Sequence, residues 1–223
     1  RHTRLQGDWS SDVCSSDLWH EVSFAKIGLG MVNKFAAKAS KKRWFPYSKG
    51  GGVRRWHGNE YYVVNWEDDG REIRQALIGK NPNIPRSEKH YFREGLTWGL
   101  TSSAEFSARF VEQGFIFDVG GSMSFPAAEK QHWLLALLNS KVSSEFLRIL
   151  NPTLSFQVGD IKRIPVLENL GASEPTCLGA KCAIELAEAD WDNFETSWDF
   201  RDLPLLRPGY WYVERTEEHT SEL

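Results

Sequence analysis

The sequence predicts an α+β chain: a twisted, mostly antiparallel sheet with flanking helices, followed by the start of a helical region. Three observations carry this expectation. Short runs of alternating large residues, above all EYYVVNW at 60–66, have the period of half-buried strands. The stretch 129–150 instead repeats apolar residues at helical spacing. Glycine and proline clusters separate these runs, as turns require.

In chain order, 22–31 is expected as a strand ending in Gly28 and Gly30, and 32–42 as a short basic helix or loop. Phe45 precedes Pro46, which disfavours the helical region and makes 43–47 extended. Three consecutive glycines make 48–52 a loop. After strand 60–66, Glu67, Asp68, Asp69 and Gly70 turn the chain. The runs 95–103 and 106–117 are further strands, with Ser102 and Ser103 at a tight turn. Leu134, Leu138, Val142, Phe146 and Ile149 share one helical face, and Asn151-Pro152 stops that helix. Leu154, Phe156 and Val158 then alternate with Ser155, Gln157 and Gly159, as in a half-buried strand.

After Pro165 the composition changes. Residues 19–165 are expected to form one domain, 166–176 a linker, and 177–206 the beginning of a C-terminal helical region. Ser173 and Pro175 suit the opening of a helix over 177–190. Trp191, Phe194 and Trp198 follow at separations of three and four. This would place them on one helical face, packed on the preceding domain or on a neighbour.

Both ends are unlike the rest. Read back through the genetic code, 1–18 matches an indexed sequencing-library adapter, and 217–223 matches its complementary strand. These segments are therefore expected to be foreign to the natural protein, which would lack its own termini; 207–216 stays unassigned.

Charge is spread unevenly under a net charge of −3. Residues 19–165 hold 21 Lys and Arg against 14 Asp and Glu, whereas 167–223 hold 4 against 13. Within 31–55, Lys34, Lys38, Lys41, Lys42, Arg43, Lys49, Arg54 and Arg55 occur without an acidic residue, interleaved with Trp44, Phe45 and Tyr47. Such a mixture suits phosphate contact, whose counterion release makes affinity salt-sensitive; the plain alternative is a solvated basic face. Gly50 and Gly51 let backbone N–H groups approach a phosphate beside Lys49. The hydroxyls of Ser102 and Ser103 suit phosphates or base edges. Arg109 either meets a guanine through two donors or pairs with a carboxylate such as Asp118.

Catalytic chemistry is not legible. Cys177 and Cys182, five positions apart without a His or Cys pair, make neither a zinc site nor a disulfide framework, and suit idle thiols in a reducing cytoplasm. His20, His57, His90 and His132 are scattered. No run of about 18 apolar residues suggests a membrane span. Methylation of an adenine amine uses an Asn/Asp-Pro-Pro-Tyr/Phe element to hold the flipped base. Asn81-Pro82-Asn83 and Asn151-Pro152-Thr153 lack its second proline and its aromatic. No catalytic residue is assigned.

Several unusual blocks carry a resemblance. LLALLNSK followed by NPTLSFQVGDIKRIPV resembles the end of a target-recognition domain of TaqI-type adenine methyltransferases and type I specificity subunits. RWFPYSKGGGVRRWHGNEYYVVNWEDDGREIR, HYFREGLTWGLTSS, FSARF with GFIFDVGGSMSFP, and DWDNFETSWDF together resemble the PglX family, the adenine-specific DNA methyltransferases of BREX phage-defence systems. The resemblance covers about 19–206 and implies a DNA target-recognition fragment. Its implied partners are duplex DNA, the missing methyltransferase domain of the same parent chain and other BREX components. It implies S-adenosylmethionine as the parent's methyl donor and no cofactor in the fragment. Two other classes stay open: a non-catalytic DNA-specificity subunit serving a separate methylase, and an aromatic-rich carbohydrate-binding module.

Overall fold

The computed structural model describes residues 16–78, 87–101, 105–166 and 173–207. The alternation at 60–66 yields Tyr62–Asn65 (β3), flanked antiparallel by Ser16–Leu18 (β1) and Trp44–Ser48 (β2). Ile116–Phe117 (β6) completes this sheet, parallel to β2, in the order β1-β3-β2-β6. Pro46 is tolerated inside β2 because pairing with β6 begins only at Tyr47, beyond the missing N–H. A second, wholly antiparallel sheet places Gly95–Trp98 (β4) between Ala108–Val111 (β5) and Met123–Ser124 (β7). The α+β class holds, but the strands divide between two small sheets instead of joining one.

Each sheet has its own apolar cluster. Phe45, Tyr47, Val64 and Trp66 of the first meet Ala37 of Lys34–Ala39 (α1) and Ile73 and Leu77 of Glu67–Leu77 (α2). The expected turn at 67–70 is the opening of α2, where Asp68, Asp69 and Gly70 take φ of 51°, 59° and 73° before regular helix begins. Leu96, Trp98 and Ala108 of the second sheet meet Leu135 and Leu138 of Ala128–Leu138 (α3), and Leu147 of Lys141–Leu150 (α4).

The single helix expected over 129–150 is therefore two. Asn139 turns its side chain onto β5, accepting from the Ala108 N–H at 2.9 Å and donating to the Ala108 carbonyl at 3.0 Å. Ser140 then caps α4 by accepting from Ser143 N, an interaction typically worth about 1 kcal/mol. The break changes the helical phase. Leu147 is buried, while Val142 and Ile149 are 60% and 73% exposed.

Two expected strands fail for local reasons. In 22–31 only Ile27 bridges to Trp44, and Phe24–Lys26 is a 3₁₀ turn; Phe24 is exposed, so no alternating face exists to bury. In 154–158 only Ser155 bridges, to Thr101, and Val158–Ile161 (α5) is helical. Asp160 accepts from Gln157 N at 3.2 Å and from Asn151 Nδ2 at 2.7 Å, closing a helical turn that competes with the strand.

Glu174–Trp191 (α6) starts where Ser173 and Pro175 place it, with the Ser173 hydroxyl accepting from Thr176 N. It packs on α3 and contributes Ile184 to the second cluster. The helix ends at Trp191, so Phe194 and Trp198 do not extend its face. The tail instead folds back on the first sheet's surroundings. Trp191 is 1% exposed against Tyr61, Trp198 lies against Phe115, and Trp19 donates its indole N–H to the Thr196 carbonyl at 2.8 Å.

Candidate nucleic-acid interface

The loop after β2 is built by close backbone approach. Gly50 and Gly51 take φ of 86° and 108°, where glycine alone is unstrained. A Cβ on Gly50 would run into the Gly120 carbonyl oxygen, and one on Gly121 into the Ser48 carbonyl oxygen. The turn carrying Gly120 and Gly121 is itself held by Asp118, whose Oδ1 accepts from both of their N–H groups at 2.8 and 3.2 Å.

Arg109 fastens this loop from within. At 1% exposure, its guanidinium donates through Nη2 to the Gly50 carbonyl at 3.1 Å and through Nη1 to the Arg54 carbonyl at 3.3 Å. Ser107 Oγ accepts from Arg54 N at 3.2 Å, and Asn59 Nδ2 donates to the Gly52 carbonyl at 2.9 Å. Burial lowers the Arg109 pKa to about 10, opposed by the Glu60 carboxylate, so the guanidinium stays charged at neutral pH. Arg109 is thus neither on the surface to meet a base nor engaged with Asp118 as expected; it organises 50–54.

The remaining candidates fall into two groups separated by β2, about 15 Å of strand. Before it, Lys41 is exposed at φ 53°, Lys42 donates to the Ala25 carbonyl at 2.6 Å, and Arg43 lies over Trp44 and 3.5 Å from Glu72. After it, the Lys49 ammonium sits 4.9 Å above the Tyr62 ring and donates to Ser16 Oγ. Arg54 pairs with Asp190 at 3.4 Å and covers Trp191, and Arg55 pairs with Glu105 at 2.6 Å. Ser102 and Ser103 lie outside the described residues. Lys49, Gly50, Gly51, Arg54, Arg55 and Arg109 therefore form one assembly, and Lys41, Lys42 and Arg43 a second basic edge. The Arg43 and Arg55 pairs are solvent-exposed, and such pairs are worth about 0–1 kcal/mol, so a phosphate can displace their carboxylates.

The supporting side chains Asn59 and Ser107 were not legible in the sequence, and Asp118 was legible only as a candidate partner of Arg109. Only Asp118 had a local signal, since an Asp preceding glycine favours a turn closed on its own carboxylate.

The structure also disposes of one near-match to the adenine-holding element. Asn151 Nδ2 donates to the Ser155 carbonyl and to Asp160, while its Oδ1 accepts from Thr153 N and Oγ1. Its amide is consumed by the helix stop. Asn81-Pro82 lies outside the described residues. The Gly50–Gly52 loop leads into irregular chain and not into a helix N-terminus, the context that a nucleotide-binding glycine fingerprint has. Among the described residues, no helix is long and apolar enough to cross a membrane, and Cys177 and Cys182 are free thiols.

No family model matches the chain. Comparison with individual proteins finds it similar to two adenine-specific methyltransferases. It is a PglX/BrxX-like fragment, 39% identical over 192 residues to the adenine-specific methyltransferase BrxX of Escherichia coli O9:H4 (strain HS), a match taking in 84% of this chain. It is likewise 39% identical over 193 residues, 84% of the chain, to the adenine-specific methyltransferase PglX of Lacticaseibacillus casei (strain Zhang). The matches take in 14% and 16% of the lengths of those two proteins.

Proposed function

We propose that this chain is the DNA-recognition part of an adenine-specific methyltransferase of a BREX phage-defence system, holding duplex DNA and selecting the site whose adenine amine is methylated. The observation that carries the proposal is the 49–55 loop in a chain related to adenine-specific methyltransferases: cations rim a backbone loop fastened from within by a buried arginine. Lys49 and Arg55 meet phosphates in this scheme, with N–H groups of the glycine loop positioned beside them. Lys41, Lys42 and Arg43 form a second phosphate contact along the duplex. Chemistry belongs to another part of the parent protein, where S-adenosylmethionine supplies the methyl group. The parent's methyltransferase domain and other BREX components are the expected protein partners.

The test is binding of a fluorescent duplex by this chain across a salt series. Log affinity should fall linearly with log salt, each phosphate contact adding about 0.9 to the slope. Replacing Lys49, Arg54 and Arg55 together with alanine should weaken binding to all sequences alike and flatten that slope. Salt-independent binding, or a slope untouched by the triple substitution, would overturn the assignment of this loop.

A further inference from the structure

Where the C-terminal tail folds back, a cavity of about 270 Å³ opens between the segment carrying His57 and Glu60, the turn at 112–115 and the end of α6. Its charged lining has one sign: Glu60, Glu112, Glu188, Asp192 and Asp199, with no lysine or arginine among the described residues that line it. Trp191 and Trp198 supply aromatic wall.

Two polar side chains in this wall are more than nine-tenths buried, with Glu60 in the electrostatic field of Arg109. Glu60 is 8% exposed and His57 7% exposed, and among the described residues neither the carboxyl nor the imidazole makes a hydrogen bond or ion pair. A largely buried acid and base that face one cavity, with no lysine or arginine among its described lining, point to a cationic ligand. Burial, then the nearby Glu112, pushes Glu60 up to about 8, opposed by Arg109. Burial brings His57 down to about 4, so its ring is neutral and offers an acceptor.

The chemistry of the missing partner follows from the spread of the donors. Among the described residues no three His, Cys, Asp or Glu side chains are placed to hold a metal ion. A planar, delocalised cation with several N–H groups can instead reach carboxylates that are apart and stack on indole. The outer face of the same wall already shows this mode: the Arg54 guanidinium lies 4.9 Å over Trp191 while pairing with Asp190.

We propose that this cavity is a receptor for a guanidinium group, held by Glu60, His57 and the surrounding carboxylates against Trp191 and Trp198. The group comes either from an arginine side chain of a protein segment or from a free small guanidine. The site is independent of DNA contact, and its test uses none.

The experiment is calorimetric titration of the whole chain with N-acetyl-arginine amide, agmatine and N-acetyl-citrulline amide, the last an uncharged isostere. Citrulline amide should bind at least tenfold more weakly than arginine amide. Tighter binding of arginine amide than of agmatine identifies a protein side chain as the source, and the reverse order a free guanidine. Glu60→Gln should weaken binding at least tenfold, whereas Glu129→Gln, at an exposed position of α3, should not change it. His57→Asn provides a second, conservative variant that should also weaken binding. Affinity should rise with pH as Glu60 ionises among Glu112, Asp192, Asp199 and Arg109, with His57 already neutral beside Asp192, Arg54 and Arg109. Equal binding of citrulline amide, no binding of either guanidine at millimolar concentration, or indifference to both the Glu60 and His57 substitutions would overturn the proposal.

Discussion

Arg109 and Gly50 stand 59 residues apart in sequence, yet the guanidinium of one donates to the carbonyl of the other at 3.1 Å inside the protein. The same side chain reaches the Arg54 carbonyl, so a single buried fork holds both sides of the loop that carries Lys49 and Arg55. Among the described residues, Arg109 is the most deeply buried cation of the basic half, and it acts by shaping the backbone between Lys49 and Arg55.

Replacing Arg109 with methionine should destabilise the chain by about 2–3 kcal/mol, because charge-assisted bonds to two carbonyls are lost. Arg109→Lys should recover little, since a point ammonium does not span both acceptors. Urea denaturation gives the stability, and limited proteolysis reports on the 49–55 loop. Wild-type stability and protection in Arg109→Lys would refute the fastening role.

Gly50 and Gly52 separate steric need from mere flexibility. Gly50→Ala places a methyl group against the Gly120 carbonyl at a positive φ and should cost about 2 kcal/mol or more. Gly52 has open space around it, and its alanine variant should be neutral or gain up to about 1 kcal/mol. Thermal melts of the two proteins, side by side, check the contrast.

Asn139→Ala should cost about 1–3 kcal/mol, since it leaves the N–H of buried Ala108 unpaired and takes one of two donors from its carbonyl, which keeps the Trp56 N–H. Asn139→Asp should do no better, having no N–H to donate to the Ala108 carbonyl. A midpoint shift in denaturant at unchanged slope would identify a stability effect; an unchanged midpoint would show that the two bonds contribute nothing.

The buried acid and base make stability depend on pH in opposite senses. Glu60 has its folded pKa raised to about 8 from 4.5, so the folded state holds the proton more firmly and stability falls as pH rises from about 4.5 to about 8. His57 is lowered to about 4 from 6.5, so its contribution falls as pH drops from about 6.5 to about 4. The two oppose each other between about 4.5 and 6.5, leaving Glu60 to act alone from about 6.5 to 8, at up to about 1.4 kcal/mol per pH unit. Glu60→Gln should therefore remove the fall above pH 6.5, which denaturation at pH 6.5 and 8 measures. A wild-type slope retained in that variant would place the titration elsewhere.

The legible parts of the fold were those set by neighbours in sequence. The strand at Tyr62–Asn65, the extended Trp44–Ser48 around Pro46, and the start of α6 behind Ser173 and Pro175 follow from alternation, proline geometry and capping. The helix over 129–150 was half legible: its residues are helical, but Asn139 breaks it to bond a strand 31 positions earlier, a partner that periodicity cannot reveal. Among the candidate site residues, the Lys49–Arg55 stretch was legible as a glycine loop rich in cations, whereas the burial of Arg109 was not. An arginine in a strand looks alike in sequence whether it faces solvent or core.

Composition and local pattern were enough for the α+β class and the uneven charge, and several sequence blocks carried the resemblance to the PglX family, because each rests on residues close together in the chain. Packing alone decided that the strands form two sheets, that the tail returns to cover Tyr61 and Phe115, and that five carboxylates gather around one cavity. Those outcomes depend on which apolar faces bury each other across long sequence separations, and burial is what turns an ordinary glutamate, histidine or arginine into Glu60, His57 and Arg109 as they stand in the fold.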